Sequence, residues 1–380
     1  MRRTFKYKVY PNRAQAEALD AQLAEACRLY NGALQERRDA WTMHHTSVGY
    51  YDQANQLKAI RADGSLDLAN FSAAQDVLRR VDKTFKAFFG RVKAGRKAGF
   101  PRFRSRRRYD SLTFPSYGDG CRLRTNGRLY LQGAGEIKVK LHRPVEGKIK
   151  TVSIKREADH WYALFSCEVD AAPLPASDET VGIDVGLTSF AVLSDGSEIA
   201  NPRYARKAAA AVRRAQRRVA RRKKGGNGRR KAVRLLQKAH AHIAHQRNDF
   251  HHKVARGLVD HFGLIAVEDL NLKGLAGSML ARSVHDAGWG MFLARLDDKA
   301  ESAGRQIVRV NPNGTTQRCS GCQTTVPKTL SQRWHDCPAC GLSLSRDENA
   351  AREILRLGLS LDAPTWPGAA SVASEAVGLS

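Results

Sequence analysis

Three acids, each set in a different local pattern, constrain this chain more than any other feature. Val181-Gly182-Ile183-Asp184-Val185-Gly186 is an apolar run holding one carboxylate, followed by Phe190-Ala191-Val192-Leu193 and the turn Ser194-Asp195-Gly196. This predicts two strands with a tight glycine turn. A carboxylate among strand residues is costly to bury unless it is paired or bound to a metal. Leu264-Ile265-Ala266-Val267 is a short strand of parallel-sheet character ending in Glu268-Asp269, and acids at strand C-terminal ends sit where open α/β sheets bind ligands. Ser345-Arg346-Asp347-Glu348 has the spacing of a capping box, and Ala350, Ala351, Ile354 and Leu355 continue a helix from it. Asp347 falls in that helix's first turn. Alone, Asp184 reads as a strand-end turn acid and Asp347 as an acid favoured by the helix dipole. The telling feature is the order: an acid on a hairpin strand, a second at a later strand end, a third at a final helix start.

That order resembles the RuvC branch of the RNase-H-like nucleases. Carboxylates suit phosphodiester cleavage, because two divalent ions about 4 Å apart stabilise attacking and leaving oxygens together. Mg²⁺, or Mn²⁺ in its place, takes a few carboxylates plus waters and phosphate oxygens. By the resemblance Asp184 would bridge two ions, with Glu268 and Asp347 each completing one side.

Two Cys-x-x-Cys pairs, Cys319 with Cys322 and Cys337 with Cys340, enclose 14 residues, close to the spacing of a four-cysteine zinc ribbon. With all four thiolates engaged and no open position, the Zn²⁺ would be structural. Cys27, Cys121 and Cys167 stand alone and read as core or surface positions.

Lys and Arg number 64 against 37 Asp and Glu, a formal net charge of +27. Such a surface calls for a polyanion. Mean hydropathy is −0.47 and no apolar run approaches the ~20 residues of a membrane span, so nucleic acid is favoured over a membrane surface. Met1-Arg2-Arg3-Thr4-Phe5-Lys6 has no apolar stretch behind it, and a cytoplasmic, nucleoid-associated place is expected. The strongest basic tract, from Ile199 to Asn248, holds 17 Lys or Arg and no acid. Val212, Ala215 and Val219, then Val233, Leu236, Ala239 and Ile243, predict two helices flanking Gly225-Gly226-Asn227-Gly228, a basic hairpin for a duplex backbone. Arg217, Arg218, Arg221 and Arg222 are its candidate phosphate contacts. His240, His242, His245, His251 and His252 read as polar surface.

Toward the N-terminus, Phe5, Tyr7 and Val9 alternate as in a half-buried strand that Pro11 ends. Leu19, Leu23, Ala26 or Cys27, Tyr30 and Leu34 form a helical stripe, with Arg28, Arg37 and Arg38 off it, and Val77, Val81, Phe85 and Phe88 form another. Lys93 to Arg108 is basic, with Phe100, Phe103 and Tyr109 placed either to stack on bases or to be buried, and with Arg102 and Arg104 placed for phosphates. From Ser111 to Asp170, short apolar runs predict an antiparallel sheet or small barrel, which the first strand would join, leaving the helices as an insertion.

The whole arrangement resembles the transposon-encoded TnpB (OrfB) family, relatives of the type V CRISPR nucleases. The matching stretches are Tyr10-Pro11-Asn12, Gly99-Phe100-Pro101-Arg102-Phe103, Gly182 to Gly186, Val267-Glu268-Asp269-Leu270, Asp286-Ala287-Gly288-Trp289-Gly290, Cys319-Ser320-Gly321-Cys322 and Arg346-Asp347-Glu348-Asn349-Ala350-Ala351. Gln323 departs from the family's usual glycine. The resemblance implies a multidomain α+β and α/β chain: a split β-barrel (wedge) domain over 1–10 and 111–172, a helical recognition domain over 11–110, a RuvC-like domain over 178–314 and 345–360, an inserted zinc ribbon over 315–344, and a disordered tail over 361–380. It also implies a guide RNA from the transposon end, a target double-stranded DNA, and Mg²⁺-dependent RNA-guided cutting beside a short adjacent motif. The protein is expected to be a monomer or weak dimer. Tyr50, Tyr51, Asn70 and Gln75 lie where family members contact the adjacent motif. The competing readings are a guide-bound repressor without cleavage and a guide-free RuvC-like junction nuclease; the intact acids oppose the first, and the ribbon and basic insertion oppose the second.

Overall fold

The computed structural model describes residues 1–329 and 331–362. It divides into two compact units, the first Met1–Asp170 and the second beginning at Ala171.

In the first unit, β1 (Arg2–Tyr10) precedes three helices, α1 (Arg13–His44), α2 (Tyr50–Ala62) and α3 (Phe71–Lys93). Six strands follow: β2 (Ser111–Phe114), β3 (Cys121–Leu123), β4 (Arg128–Leu131), β5 (Gly135–Val139), β6 (Lys148–Glu157) and β7 (His160–Glu168). They form one barrel-like antiparallel sheet in the order β2-β6-β7-β1-β5-β4-β3. Thus β1 sits mid-sheet, paired with β7 from Arg2↔Glu168 to Val9↔Trp161 and with β5 at Val9↔Val139. The helices leave the sheet after β1 and return at β2. Pro11 lacks the amide that would extend the strand, and Asn12 starts α1 with a reciprocal capping box to Gln15. Phe5, Tyr7 and Val9 are buried with Leu129, Ile137, Val152 and Phe165, and the α1 stripe packs into the same core. Cys27, Cys121 and Cys167 are all buried.

Arg37 departs from the expected placement off the stripe: it is buried, with its guanidinium 2.8 Å from Gln53 Oε1 and 3.4 Å from Asp82 Oδ1. A long stem buries well when partners meet its charged head.

The second unit opens with β8 (Thr180–Val185), β9 (Ser189–Leu193) and β10 (Glu198–Ala200), then α4 (Tyr204–Ala220) and α5 (Asn227–His261). After β11 (Leu264–Glu268) come α6 (Leu272–Ala276), α7 (Ala281–Ala287), α8 (Trp289–Ala303) and β12 (Gln306–Val310); β13 (Trp334–Asp336), β14 (Ser343–Ser345) and α9 (Arg346–Asp362) close the described chain. The sheet order is β10-β9-β8-β11-β12, antiparallel from β10 to β8 and parallel from β8 to β12, which is an RNase-H-like arrangement. The odd-numbered residues Val181, Ile183, Ile265 and Val267 face a core shared with α5 and α8. Leu264 and Ala266 face Ile354 of α9.

Asn227 and Gly228 open α5 rather than lying in the hairpin loop. No described helix is long and apolar enough to cross a membrane. The expected tail begins inside α9, whose last residue is Asp362; residues 363–380 lie outside the described residues.

Candidate metal centres

Strand register brings the first two acids together. On the parallel neighbours β8 and β11, Gly182 is level with Ala266 and Ile183 with Val267. One step further, Asp184 and Glu268 are level, and because side chains alternate along a strand both point to the face of Gly182 and Ala266. That face is covered by α9. A Cβ at Gly182 would overlap the Ala351 carbonyl oxygen, and one at Gly358 would stand 2.6 Å from the Ala266 Cβ. The two glycines therefore let helix and sheet approach at backbone distance. From Ala351 back to Asp347 is about 6 Å of helix, and from Gly182 to Asp184 about 6.6 Å of strand. The lengths match, which carries Asp347 to the Asp184 end of the sheet.

Electrostatics record this proximity. Burial, then the charges of Glu268 and Asp347, push the Asp184 carboxyl up to about 8, against the Arg346 guanidinium, which lowers it. Burial also raises Glu268, although the Thr315 hydroxyl, donating at 2.5 Å, opposes the rise. All three acids are half-buried. Beside two further acids, the buried Asp184 carboxylate is disfavoured until a proton or a cation neutralises it, and oxygen donors of this kind suit hard divalent ions.

The cysteines make a second centre. Four thiolates about 2.3 Å from one zinc ion stand about 3.8 Å apart. The Cys319 and Cys340 sulfurs are 3.6 Å apart, those of Cys322 and Cys337 are 3.5 Å apart, and all four lie within 4.8 Å of one another. These separations are far beyond a disulfide's ~2.05 Å and fit tetrahedral zinc. Hydrogen bonds with Thr324 pull the Cys322 thiol down to about 6. Against the Leu342 amide, which lowers it, the sulfurs of Cys322, Cys337 and Cys319 push Cys340 up to about 12. A dication would let all four ionise. The two knuckles repeat one geometry: Gln323 N donates to Cys319 O and Gly341 N to Cys337 O, both at 2.9 Å, with φ of +69° and +76°. The second knuckle carries the glycine that such a backbone favours; the first carries Gln323.

Thr315 and Glu353 have no part in the sequence signals above, and Asn349 enters them only within the Arg346 to Ala351 stretch. Thr315, buried, holds Glu268. Asn349, fully buried two residues past Asp347, accepts from Ser320 N at 2.9 Å and donates to Arg318 O at 2.7 Å. Glu353, also fully buried, pairs with Arg318 and Arg356. The one available signal was a polar i, i+4 pair, Asn349 and Glu353, beside the apolar stripe of α9.

Among the candidate nucleic-acid contacts, Arg217, Arg218, Arg221 and Arg222 are exposed and line one recess with Arg214 at the end of α4, a helix with no buried residue. Arg102 and Arg104 are exposed. Tyr51 is exposed, and Tyr50 is half-buried against it and under Arg79. Gln75 is half-buried on α3. Asn70 is corrected: it is buried, its oxygen caps α3 at Ala73 N (2.7 Å), and its amide bonds Asp119 and Gln132 at 3.1 Å each, leaving nothing to offer a base edge. Tyr109 is core, whereas Phe100 and Phe103 are exposed. His251 is likewise corrected from surface to core: it lies fully buried among Phe190, Phe250 and Phe292, with Nε2 2.8 Å from Ala287 O. Asp286 of the Asp-Ala-Gly-Trp-Gly stretch accepts from the Ala205 and Arg206 amides at 2.8 and 3.0 Å, capping α4 from outside that helix.

Residues 164–279 match the OrfB family model described as a probable transposase, 289–354 a Cas12f1-like TNB domain and 1–46 a helix-turn-helix domain; in this chain 1–46 is a strand and one long helix. A putative RNA-guided DNA endonuclease from Streptomyces pristinaespiralis is 33% identical over 373 residues, covering 96% of this chain and 91% of the relative. InsQ of Escherichia coli (strain K12), also called a putative RNA-guided DNA endonuclease, is 29% identical over 377 residues, covering 93% and 92%. Among solved structures, a mini-RNA-guided endonuclease, CRISPR-Cas phi3, aligns over 94% of this chain and 92% of its own at 8% identity and a TM-score of 0.48, a likeness too loose to add to the topology above.

Proposed function

The chain belongs to the OrfB (TnpB) family, and from that premise we propose how it works as an RNA-guided DNA endonuclease of an insertion sequence. Asp184, Glu268 and Asp347 are the catalytic acids. The observation that supports this reading is the pairing of β8 with β11 beneath α9, a register that puts Asp184 and Glu268 level on the face that the Asp347 helix covers. Divalent ions held there, Mg²⁺ or Mn²⁺, would supply the charge stabilisation that phosphodiester hydrolysis needs at its attacking and leaving oxygens. Asp184, Glu268 and Asp347 would together hold those ions, Asp184 being the acid that feels the charge of both others. Zn²⁺ on Cys319, Cys322, Cys337 and Cys340 is structural, because four thiolates leave no position for substrate.

Specificity comes from base pairing between a guide RNA and the target strand, while the protein reads backbone shape and a short adjacent motif. The exposed Arg217, Arg218, Arg221 and Arg222 hold phosphates, as do Arg102 and Arg104. Tyr50, Tyr51 and Gln75 are the candidates for the motif. Asp286, by capping α4, fixes where the basic hairpin leaves the nuclease unit. A cytoplasmic site of action follows from this function.

The test is to co-express the chain with the DNA downstream of its gene, sequence the RNA that co-purifies, and challenge the complex with plasmids carrying a matching or scrambled target in Mg²⁺. A discrete RNA and cutting of the matched plasmid alone is the expected result. Equal cutting of both plasmids, or no retained RNA, would sink the proposal.

A further inference from the structure

Thr315 and Asn349 stand on a chain of contacts that joins two of the three acids through the first cysteine knuckle. Thr315 is 1% exposed, and its hydroxyl lies 2.5 Å from Glu268 Oε1 and 3.1 Å from Pro312 O. Thr315 lies in a turn closed by Gln317 N and Arg318 N donating to Gly314 O at 3.0 and 2.9 Å, and that turn leads directly into Arg318 and Cys319. Asn349 then grips that knuckle from both sides, at Arg318 O and Ser320 N, with no exposed surface of its own. Glu353, one turn along α9, adds the Arg318 ion pair at 3.3 Å. Asp347 lies two residues before Asn349 on the same helix.

Resting on the reading of Asp184, Glu268 and Asp347 as metal-binding acids, we infer that Thr315 and Asn349 are positioning residues through which a closed cysteine cluster sets the geometry of the acid site. Thr315 orients Glu268. Asn349 transmits the position of the Cys319 knuckle to the first turn of α9, and with it to Asp347. The ribbon is then more than an independently stabilised attachment: opening it loosens two carboxylates that it never touches. A buried bidentate side-chain amide is suited to this, because losing either partner strands a desolvated polar group. A helical turn and a helix end are both stiff enough to pass on a displacement.

The test uses the full-length, zinc-loaded protein without nucleic acid, and its readout is Mn²⁺ affinity by electron paramagnetic resonance. Mn²⁺ suits carboxylates and competes poorly for thiolates, so it reports on the acids. Thr315→Val, which keeps the shape and removes the hydroxyl, is expected to weaken Mn²⁺ binding about tenfold, with Thr315→Ser within about twofold of wild type. Removing zinc with a chelator, followed by desalting, is expected to weaken Mn²⁺ binding in the wild type but to have little further effect in Asn349→Ala. Co²⁺ loaded into the ribbon of Asn349→Ala should keep its thiolate absorption, showing that the cluster itself still forms. Equal Mn²⁺ affinity in Thr315→Val and Thr315→Ser would overturn the role of Thr315. An equal effect of zinc removal in wild type and Asn349→Ala, or none in either, would overturn the coupling. Because no guide or target enters, failure of RNA-guided cutting in the wild type leaves these outcomes readable and counts against the proposed function alone.

Discussion

The cysteine centre and the acid centre lie in the same unit of the molecule but are assembled over different distances. The four cysteines span residues 319–340, whereas the three acids span 184–347. The first is local: two turns of identical backbone geometry present four sulfurs at the spacing zinc requires. The proposed second centre depends on the pairing of β8 with β11 in one register and on α9 lying down on Gly182 and Gly358. The sulfurs stand at tetrahedral spacing, while Asp184 is held near Glu268 and Asp347 at a cost to its charged form. A short-range site is thus fixed by chain spacing, and a long-range site by the packing of the whole sheet.

That contrast predicts four outcomes. Cys337→Ser should abolish the tetrahedral thiolate absorption of the Co²⁺-loaded ribbon, and hydrogen exchange should then rise in 319–345 while the amides of β8 and β11 stay protected; loss of protection in those strands would show the ribbon to be no local unit. Gly182→Ala should have the opposite reach, because its Cβ meets the Ala351 carbonyl: target cutting should fall roughly a hundredfold or more as α9 is displaced, with the Co²⁺ spectrum unchanged. Unaltered cutting would mean that the close approach of helix and strand is not needed.

The third concerns the cost of crowding acids. An Asp184 held at about 8 when folded and near 4 when unfolded keeps its proton in the folded state only, across that interval. Its contribution to stability is therefore fully present below about pH 4 and is lost as pH rises toward 8. Metal-free Asp184→Asn escapes this loss, so its advantage over wild type in urea unfolding should grow from pH 5 to pH 8, reaching on the order of 2 kcal/mol; a constant difference across that range would contradict the crowding. Added Mg²⁺ should narrow it. Last, Gln323→Gly should stabilise the zinc-loaded chain by up to ~1 kcal/mol in thermal unfolding, because Gln323 sits at φ +69° where its counterpart is Gly341; destabilisation would show that its side chain matters more than its backbone.

This contrast also explains what the sequence made legible. Cysteine spacing, period-two runs and the apolar stripe of α1 are local signals, and β1, α1, β4 to β9 and β11 follow them. The elements that carry Asp184, Glu268 and Asp347, a strand, a strand end and a helix start, were readable from their patterns. The burial of Arg37, Asn70 and His251 was not readable, because each depends on partners far along the chain: Gln53 and Asp82, Asp119 and Gln132, and Ala287. The contacts of Thr315 and Asn349 were hidden for the same reason, since a threonine in a polar loop and an asparagine in a helix gain meaning only from Glu268 and the Cys319 knuckle. The α2 helix, with two buried residues in 13, carries too thin an apolar stripe to be seen in advance.

The most direct measurement is cutting of a guide-matched plasmid in Mg²⁺ by Asp184→Asn, Glu268→Gln and Asp347→Asn beside the wild type, with target binding followed on the same complexes. If the three carboxylates form one metal-binding site, each variant binds the matched target as the wild type does and none cuts it; cutting at the wild-type rate by any of the three would contradict that site.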